Sequence, residues 1–202
     1  ENFDIKVYPL YTSMNEPLGN ACGLWCEIQE SIETLKGNGP KDLTEVVKYL
    51  AIQTLKKTNY SNSENLIDNV IKNGKALKIF YNMIEQHSGK INTLDNNKIN
   101  KPKFKKSIVS KHNGVITTIN TKKVGISLIE LGAGRKVKND KLDNSAGILF
   151  KKKCNSRVKI GDQIATIFCS NKNKLEKGSI ILENSISLSN KSTKLLPLIH
   201  KG

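Results

Sequence analysis

The chain has 202 residues, 33 Lys and Arg against 18 Asp and Glu, and 37% hydrophobic residues, enough core material for one large or two small domains and too much for a disordered chain. Its longest apolar stretches run four or five residues, far short of the ~20 that span a bilayer, and no charged-then-apolar start resembles a signal peptide, so a soluble cytoplasmic protein without a membrane partner is expected. The net charge of +15 invites a nucleic-acid partner, but 31 of the 33 cations are Lys and Asn occurs 23 times; without Arg forks for base and phosphate readout this is a solvated Lys-rich surface, and no nucleic acid is expected.

Asp4 to Leu10 alternates Ile5, Val7 and Pro9 or Leu10 with polar neighbours, which predicts a strand, with a loop from Tyr11 to Glu16. Leu18, Ala21, Cys22, Trp25, Ile28, Ile32 and Leu35 recur every three or four residues and predict one amphipathic helix from Leu18 to Leu35, stopped by Gly37, Gly39 and Pro40. A second helix is expected from Asp42, with Asp42 and Glu45 as a capping box and a buried stripe of Leu43, Val46, Val47, Leu50 and Thr54. Ser63 caps a third with Leu66, Ile67, Val70 and Ile71, ended by Asn73-Gly74, and a fourth carries Ala76, Leu77, Phe80, Tyr81 and Ile84.

Ser88 to Lys106 is rich in Lys, Asn and small polar residues, holds Pro102 and has little periodicity, so a domain boundary falls there. Beyond it lie short β runs at Ser107 to Lys111, Val115 to Asn120, Ala146 to Phe150 and Gln163 to Phe168, separated by Asn113-Gly114 and Gly161-Asp162 turns. Helices are expected at Thr121 to Leu131 and about Lys174 to Ser189, and a closing strand at Leu195 to Ile199. The expected architecture is an α/β segment, a strand plus helices, at residues 1–100, followed by an α+β domain of small barrel or sandwich type at residues 101–202.

Residue chemistry alone identifies no nucleophile, acid or base. Gly132-Ala133-Gly134-Arg135 lacks the third glycine of a dinucleotide loop and follows a helix, which makes it a helix cap and turn. Cys22 and Cys26, one turn apart in the predicted helix, read as core, and with Cys154 and Cys169 they count as buried or free thiols rather than a disulfide framework. His87, His112 and His200 are scattered and form no triad pattern. Glu27, Glu30 and Glu33 lie off the apolar stripe, Glu30 nearly opposite Trp25 and Cys22, on a face that meets water, another domain or a cation.

Longer motifs say more. Met14-Asn15-Glu16-Pro17-Leu18-Gly19-Asn20-Ala21, the run Glu27 to Gly37, and Gly39-Pro40-Lys41-Asp42-Leu43-Thr44-Glu45 resemble the thymidine and pyrimidine-nucleoside phosphorylases. Lys111-His112-Asn113-Gly114-Val115-Ile116, Leu131 to Lys136, Asp143 to Gly147 and Val158-Lys159-Ile160-Gly161-Asp162 resemble that family's C-terminal domain, in the right order. The likeness runs along nearly the whole chain but covers only the C-terminal half of the family's usual length.

The resemblance implies a pentosyltransferase: reversible phosphorolysis of a pyrimidine nucleoside, with phosphate as co-substrate, giving free base and (deoxy)ribose 1-phosphate. The family's phosphate loop and base-binding set belong to its N-terminal half, so the resemblance assigns no catalytic or substrate-binding residue here and implies that this chain alone is inactive, the missing half being its partner in an enzyme that is a homodimer when complete. It also implies a monovalent cation, potassium, held by the backbone carbonyls of Leu18 and Ala21 and the carboxylate of Glu30. Leu24-Trp25-Cys26 and Ser13 depart from the family's commoner residues, which leaves thymidine against uridine open. Two other classes compete with this expectation: a non-catalytic remnant, and a biotinyl- or lipoyl-like carrier module, for which Lys151, Lys152 and Lys153 would be the candidate hairpin lysines although no Met flanks them.

Overall fold

The computed structural model describes residues 6–58, 62–94 and 99–200. The predicted strand at Asp4 to Leu10 begins outside the described residues, and residues 6–10 carry no strand. They are exposed, Val7 by 77%, so the alternation has nothing to pack on. The Lys57 ammonium instead lies 4.1 Å over the Tyr8 ring. Strand β1 is only Tyr11–Thr12, inside the predicted loop.

The single helix predicted for Leu18 to Leu35 is two elements. Strand β2 spans Ala21–Gly23 and helix α1 spans Leu24–Leu35. Gly23 sits at φ 136°, and a Cβ there would lie 2.6 Å from the Ala146 carbonyl oxygen; the strand approaches that backbone so closely that only glycine fits. Helix α2 follows at Lys41–Lys57 without the expected capping box: Pro40 holds the N-cap position and no side chain caps the helix. Helices α3, Ser63–Lys72, and α4, Lys75–Gln86, form as expected around Asn73 and Gly74, although Ser63 opens α3 without a capping bond. The apolar stripes of these helices are only partly covered. Val46 and Ile67 are buried, while Val47, Leu50, Leu66 and Ile79 stay exposed.

A 3₁₀ turn at Ile91–Thr93 precedes β3, Phe104–Val109, which starts three residues before the predicted run. β4 is Gly114–Ile119, and α5 is Thr121–Leu131 as expected, its free amides capped by the Asn120 side chain, which accepts from Lys123 N at 3.0 Å. β5, Gly147–Phe150, β6, Arg157–Val158, and β7, Gln163–Cys169, come next. Helix α6 runs Lys172–Glu183 and does not continue to Ser189. The tail of that predicted helix is strand β8, Ile186–Ser189, because Ile186 and Leu188 pack on the core with a period of two and the backbone pairs with β4. The closing strand β9 is two residues, Ile199–His200, paired with β1.

The pairing is antiparallel throughout, in sheets ordered β1-β9, β2-β5-β7-β3 and β6-β4-β8. The fold is mixed α and β, and among the described residues these sheets close no barrel. The core lies among β4, β5, β7, α5 and α6, with Ile116, Ile119, Leu131, Ile148, Ile167 and Leu182 fully buried. Cys22 of β2 joins that core. Among the described residues no helix is long and apolar enough to cross a membrane.

Candidate functional site

The segment from Glu16 to Ala21 is where early and late parts of the chain meet. Gly19 turns the backbone at φ 69°, after which the chain enters β2, the edge strand beside β5. Phe150 N donates to Asn20 O at 2.8 Å, a single bond that closes the ladder, since Asn20 N turns to Glu30 instead. Ala21, opposite Leu149, is therefore in a non-hydrogen-bonded position, with its N–H and C=O both pointing away from β5.

Glu30, on α1, fills that open side. Its Oε1 accepts from Asn20 N at 3.0 Å and Ala21 N at 3.1 Å, and its Oε2 lies 3.2 Å from Asn20 N. The helix thus presents a carboxylate to the loop, and Glu27 does the same one turn earlier, accepting from Gly23 N at 2.7 Å. Leu18 sits beside them, 38% exposed, and among the described residues no hydrogen bond is made to its carbonyl. Leu18 and Ala21, on one face of the predicted helix, and Glu30, on the other, all line one cavity of about 570 Å³ that is also walled by Val124 and Leu128 of α5.

Two partners of this loop carry signals for other roles in the sequence. Lys153, in the turn after β5, donates its ammonium to the Pro17 carbonyl, to the Gly19 carbonyl at 2.6 Å and to Asp42 Oδ2 at 3.2 Å. Asp42 Oδ2 also accepts from Gly19 N at 3.1 Å; the residue expected to cap α2 ties that helix to the loop instead. Glu16 Oε2 accepts from Cys154 N at 2.8 Å. In sequence, Lys153 is one of three consecutive lysines and looks like solvated surface.

A second polar knot lies at the other end of the core. Asp143 Oδ1 accepts from Ser145 N at 3.0 Å and Ser145 Oγ at 2.6 Å, and its Oδ2 accepts from Ser170 N at 2.6 Å, pinning the approach to β5 against the end of β7.

Cys22 and Cys26 are not one turn apart in a helix, since the first is on β2 and the second on α1. All four thiols are free. Burial pushes Cys22 up to about 12, with the Glu27 carboxylate adding to it, and burial raises Cys26 to about 11. Cys154 rises to about 11 through burial and then the neighbouring Glu16. Only the thiolate reacts, so the native chain at about pH 8 is expected to resist iodoacetamide and to release four reactive thiols only in denaturant; rapid native labelling of Cys22 or Cys26 would contradict the packing. Among the described residues no group of three or more His, Cys, Asp and Glu could hold a metal ion.

Comparison with known proteins agrees with the motifs. Residues 115–189 match the pyrimidine nucleoside phosphorylase C-terminal domain. The chain is 36% identical over 205 residues to the pyrimidine-nucleoside phosphorylase of Staphylococcus epidermidis, covering 99% of this chain and 47% of that protein. It is 32% identical to the Staphylococcus aureus protein of the same name, over 99% of this chain and 47% of the relative, and 31% identical to the Bacillus subtilis one, over 96% and 46%. The chain spans about half the length of the curated relatives it matches. With a C-terminal-domain match inside a likeness that runs from end to end, the chain belongs to the pyrimidine-nucleoside phosphorylase family, as the counterpart of its members' C-terminal half.

Proposed function

We propose that this chain is the C-terminal part of a pyrimidine-nucleoside phosphorylase, a pentosyltransferase acting on a pyrimidine nucleoside and phosphate. A phosphate oxygen bonds to the anomeric carbon, the bond from that carbon to the base nitrogen breaks, and the base leaves with the electron pair, giving the free base and a sugar 1-phosphate. The observation that carries this is the likeness to such enzymes along 99% of the chain. The transition state places positive charge on the sugar and negative charge on the departing base, so cations must hold the phosphate and donors must meet the base. Those groups are proposed to come from the part of the family's length that these 202 residues do not span, and no catalytic residue is assigned within them.

Within the chain we assign Leu18, Ala21 and Glu30 to a monovalent cation, potassium. The geometry supports it: the Leu18 carbonyl makes no hydrogen bond among the described residues, the Ala21 carbonyl lies on the free edge of β2, and the Glu30 carboxylate stands on that same side. Hard neutral oxygens with a single negative charge suit potassium better than a divalent transition metal. The ion's charge would stiffen the loop facing the phosphate site. The remaining features belong to the same proposal: a C-terminal portion of the α/β domain at residues 1–100, a barrel-sandwich-type domain at residues 101–202, a homodimer when complete, a role in nucleoside salvage, and a cytoplasmic location, for which four unpaired thiols are a physical argument.

The test is phosphate-dependent release of thymine and uracil from their nucleosides, by this chain alone and by this chain mixed with the other half of the enzyme from the same source. Activity confined to the mixture is the expected result; no activity in a folded mixture would turn the assignment toward a non-catalytic remnant. In the active assembly, Glu30→Gln is expected to raise the potassium concentration for half-maximal activity ~10-fold, the loss of about one charge-assisted contact. An unchanged potassium response would remove Glu30 from the cation site.

A further inference from the structure

Charges of opposite sign grip the loop from Pro17 to Ala21 on its two sides. Glu30 collects the amides of Asn20 and Ala21, whereas Lys153 collects the carbonyls of Pro17 and Gly19. The Lys153 ammonium carries three protons and has three oxygen acceptors, the third being Asp42 Oδ2. Its side chain is only 19% exposed, and the Asp42 side chain 31%. Two carbonyls and one carboxylate around a compact unit cation is the composition of a monovalent-cation site, with the cation supplied by the chain itself.

We propose that Lys153 is a positioning residue acting as a tethered monovalent cation, and that the oxygen cage of Pro17, Gly19 and Asp42 is itself a site for a free ion of the same charge and similar size, potassium or ammonium, once the tether is removed. The chemistry follows from the ligands. One carboxylate balances one positive charge, hard oxygens replace the hydration shell, and the covalent stem spares the entropy of capturing an ion from solution. A turn after β5 thereby fixes the loop against α2, drawing together residues 136 and 111 positions apart. The cage uses other carbonyls than the potassium set proposed above, and its test needs no turnover, so either assignment can fail without the other.

The experiment is amide hydrogen exchange on the 202-residue chain carrying Lys153→Ala or Lys153→Met, in choline chloride. Removing a charge-assisted contact that closes the loop is expected to speed exchange at Gly19, Asn20 and Ala21 by ~10- to 100-fold, while the amides of β7, central in its sheet, keep their protection. Replacing choline by potassium or ammonium at the same ionic strength is expected to restore protection in Lys153→Ala. Lithium, too small for the cage, is not expected to do so, and Lys153→Met, whose thioether stem fills the vacated space, is expected to respond to potassium or ammonium no more than the unmodified chain does, which sets the baseline for any ion held by Leu18, Ala21 and Glu30. Wild-type exchange rates at the three amides in both variants would overturn the proposal. So would equal recovery in lithium and potassium, which is not size-selective binding in the cage. Global unfolding of both variants would also overturn it, because it would make Lys153 part of the core and not a local tether.

Discussion

In the assembled enzyme proposed above, with Leu18, Ala21 and Glu30 holding potassium, Gly19→Ala is expected to raise the potassium concentration for half-maximal phosphorolysis about 100-fold. Two independent causes act at one atom. Gly19 has φ 69°, where an L side chain costs roughly 1–2 kcal/mol. The added Cβ would also collide with Glu30 Oε2 and stand 3.1 Å from its Cδ. The carboxylate can swing clear only by giving up the Asn20 and Ala21 amides, which are among the contacts that aim it at the loop. Together these amount to about 3 kcal/mol of local destabilisation, about two factors of ten in an equilibrium constant. The same ~3 kcal/mol weighs on the native state, so the melting temperature is also expected to fall, by roughly 6–12 °C. A potassium titration of the variant that overlays the unmodified enzyme would show that neither Gly19 nor Glu30 shapes the cation site.

Asp143→Asn is expected to lower stability at about pH 7 by ~3 kcal/mol, or roughly 6–12 °C in melting temperature for a chain of this size, and to do so only while the carboxylate is charged. Burial pushes the Asp143 carboxyl up, but hydrogen bonds from Ser145 and Ser170 outweigh it and hold the group below its usual value. The native state therefore binds the ionised form more strongly than the unfolded state does. That stability is complete above the unfolded value of about 3.9 and is lost as pH falls through the lower folded value. An asparagine has one acceptor oxygen and no charge, so it cannot serve both serines, and the Ser170 amide loses its partner. Melting curves of the two proteins are expected to diverge above about pH 5 and to converge below about pH 3. Parallel curves across that range would mean that the 143–145 turn is held by shape alone.

Elements stabilised by local contacts were legible in the sequence, and those stabilised by distant ones were not. Helix α5 was bounded correctly at both ends because Asn120 caps it through its own neighbour Lys123 N and Gly132 ends it in a left-handed conformation. The strands around Gly114, Gly147 and Gln163 were legible from β-branched runs and turn residues. The run Leu18 to Leu35 misled because Leu18, Ala21 and Cys22 continue the helical period by coincidence; Ala21 and Cys22 are buried through pairing with β5, more than a hundred residues on. The same long-range pairing made a strand of residues 186–189, where the apolar content alone suggested more helix. Of the candidate site, Leu18, Ala21 and Glu30 came from family motifs, and only the register of β2 explains why an Ala carbonyl and a helix carboxylate face the same way. Lys153 and Asp42 stayed hidden because a lysine in a lysine run and an aspartate at a helix start each had a sufficient local explanation.

The pairing of β2 with β5 also dictates an order of events at the ribosome. Helices α1 to α4 emerge first, when the strand that covers the edge of β2 has not yet been made, and contacts of such long sequence separation are slow to form. The loop carrying Leu18 and Gly19 has no fixed shape until Lys153, 136 residues beyond Pro17, has left the exit tunnel. Until then Ala21 and Cys22 present an unpaired apolar edge, the kind of surface on which nascent chains stick to one another. Any product terminated before residue 147 keeps that edge exposed and leaves the 17–21 loop without its Lys153 contacts, so it is expected to be taken up by chaperones and proteases.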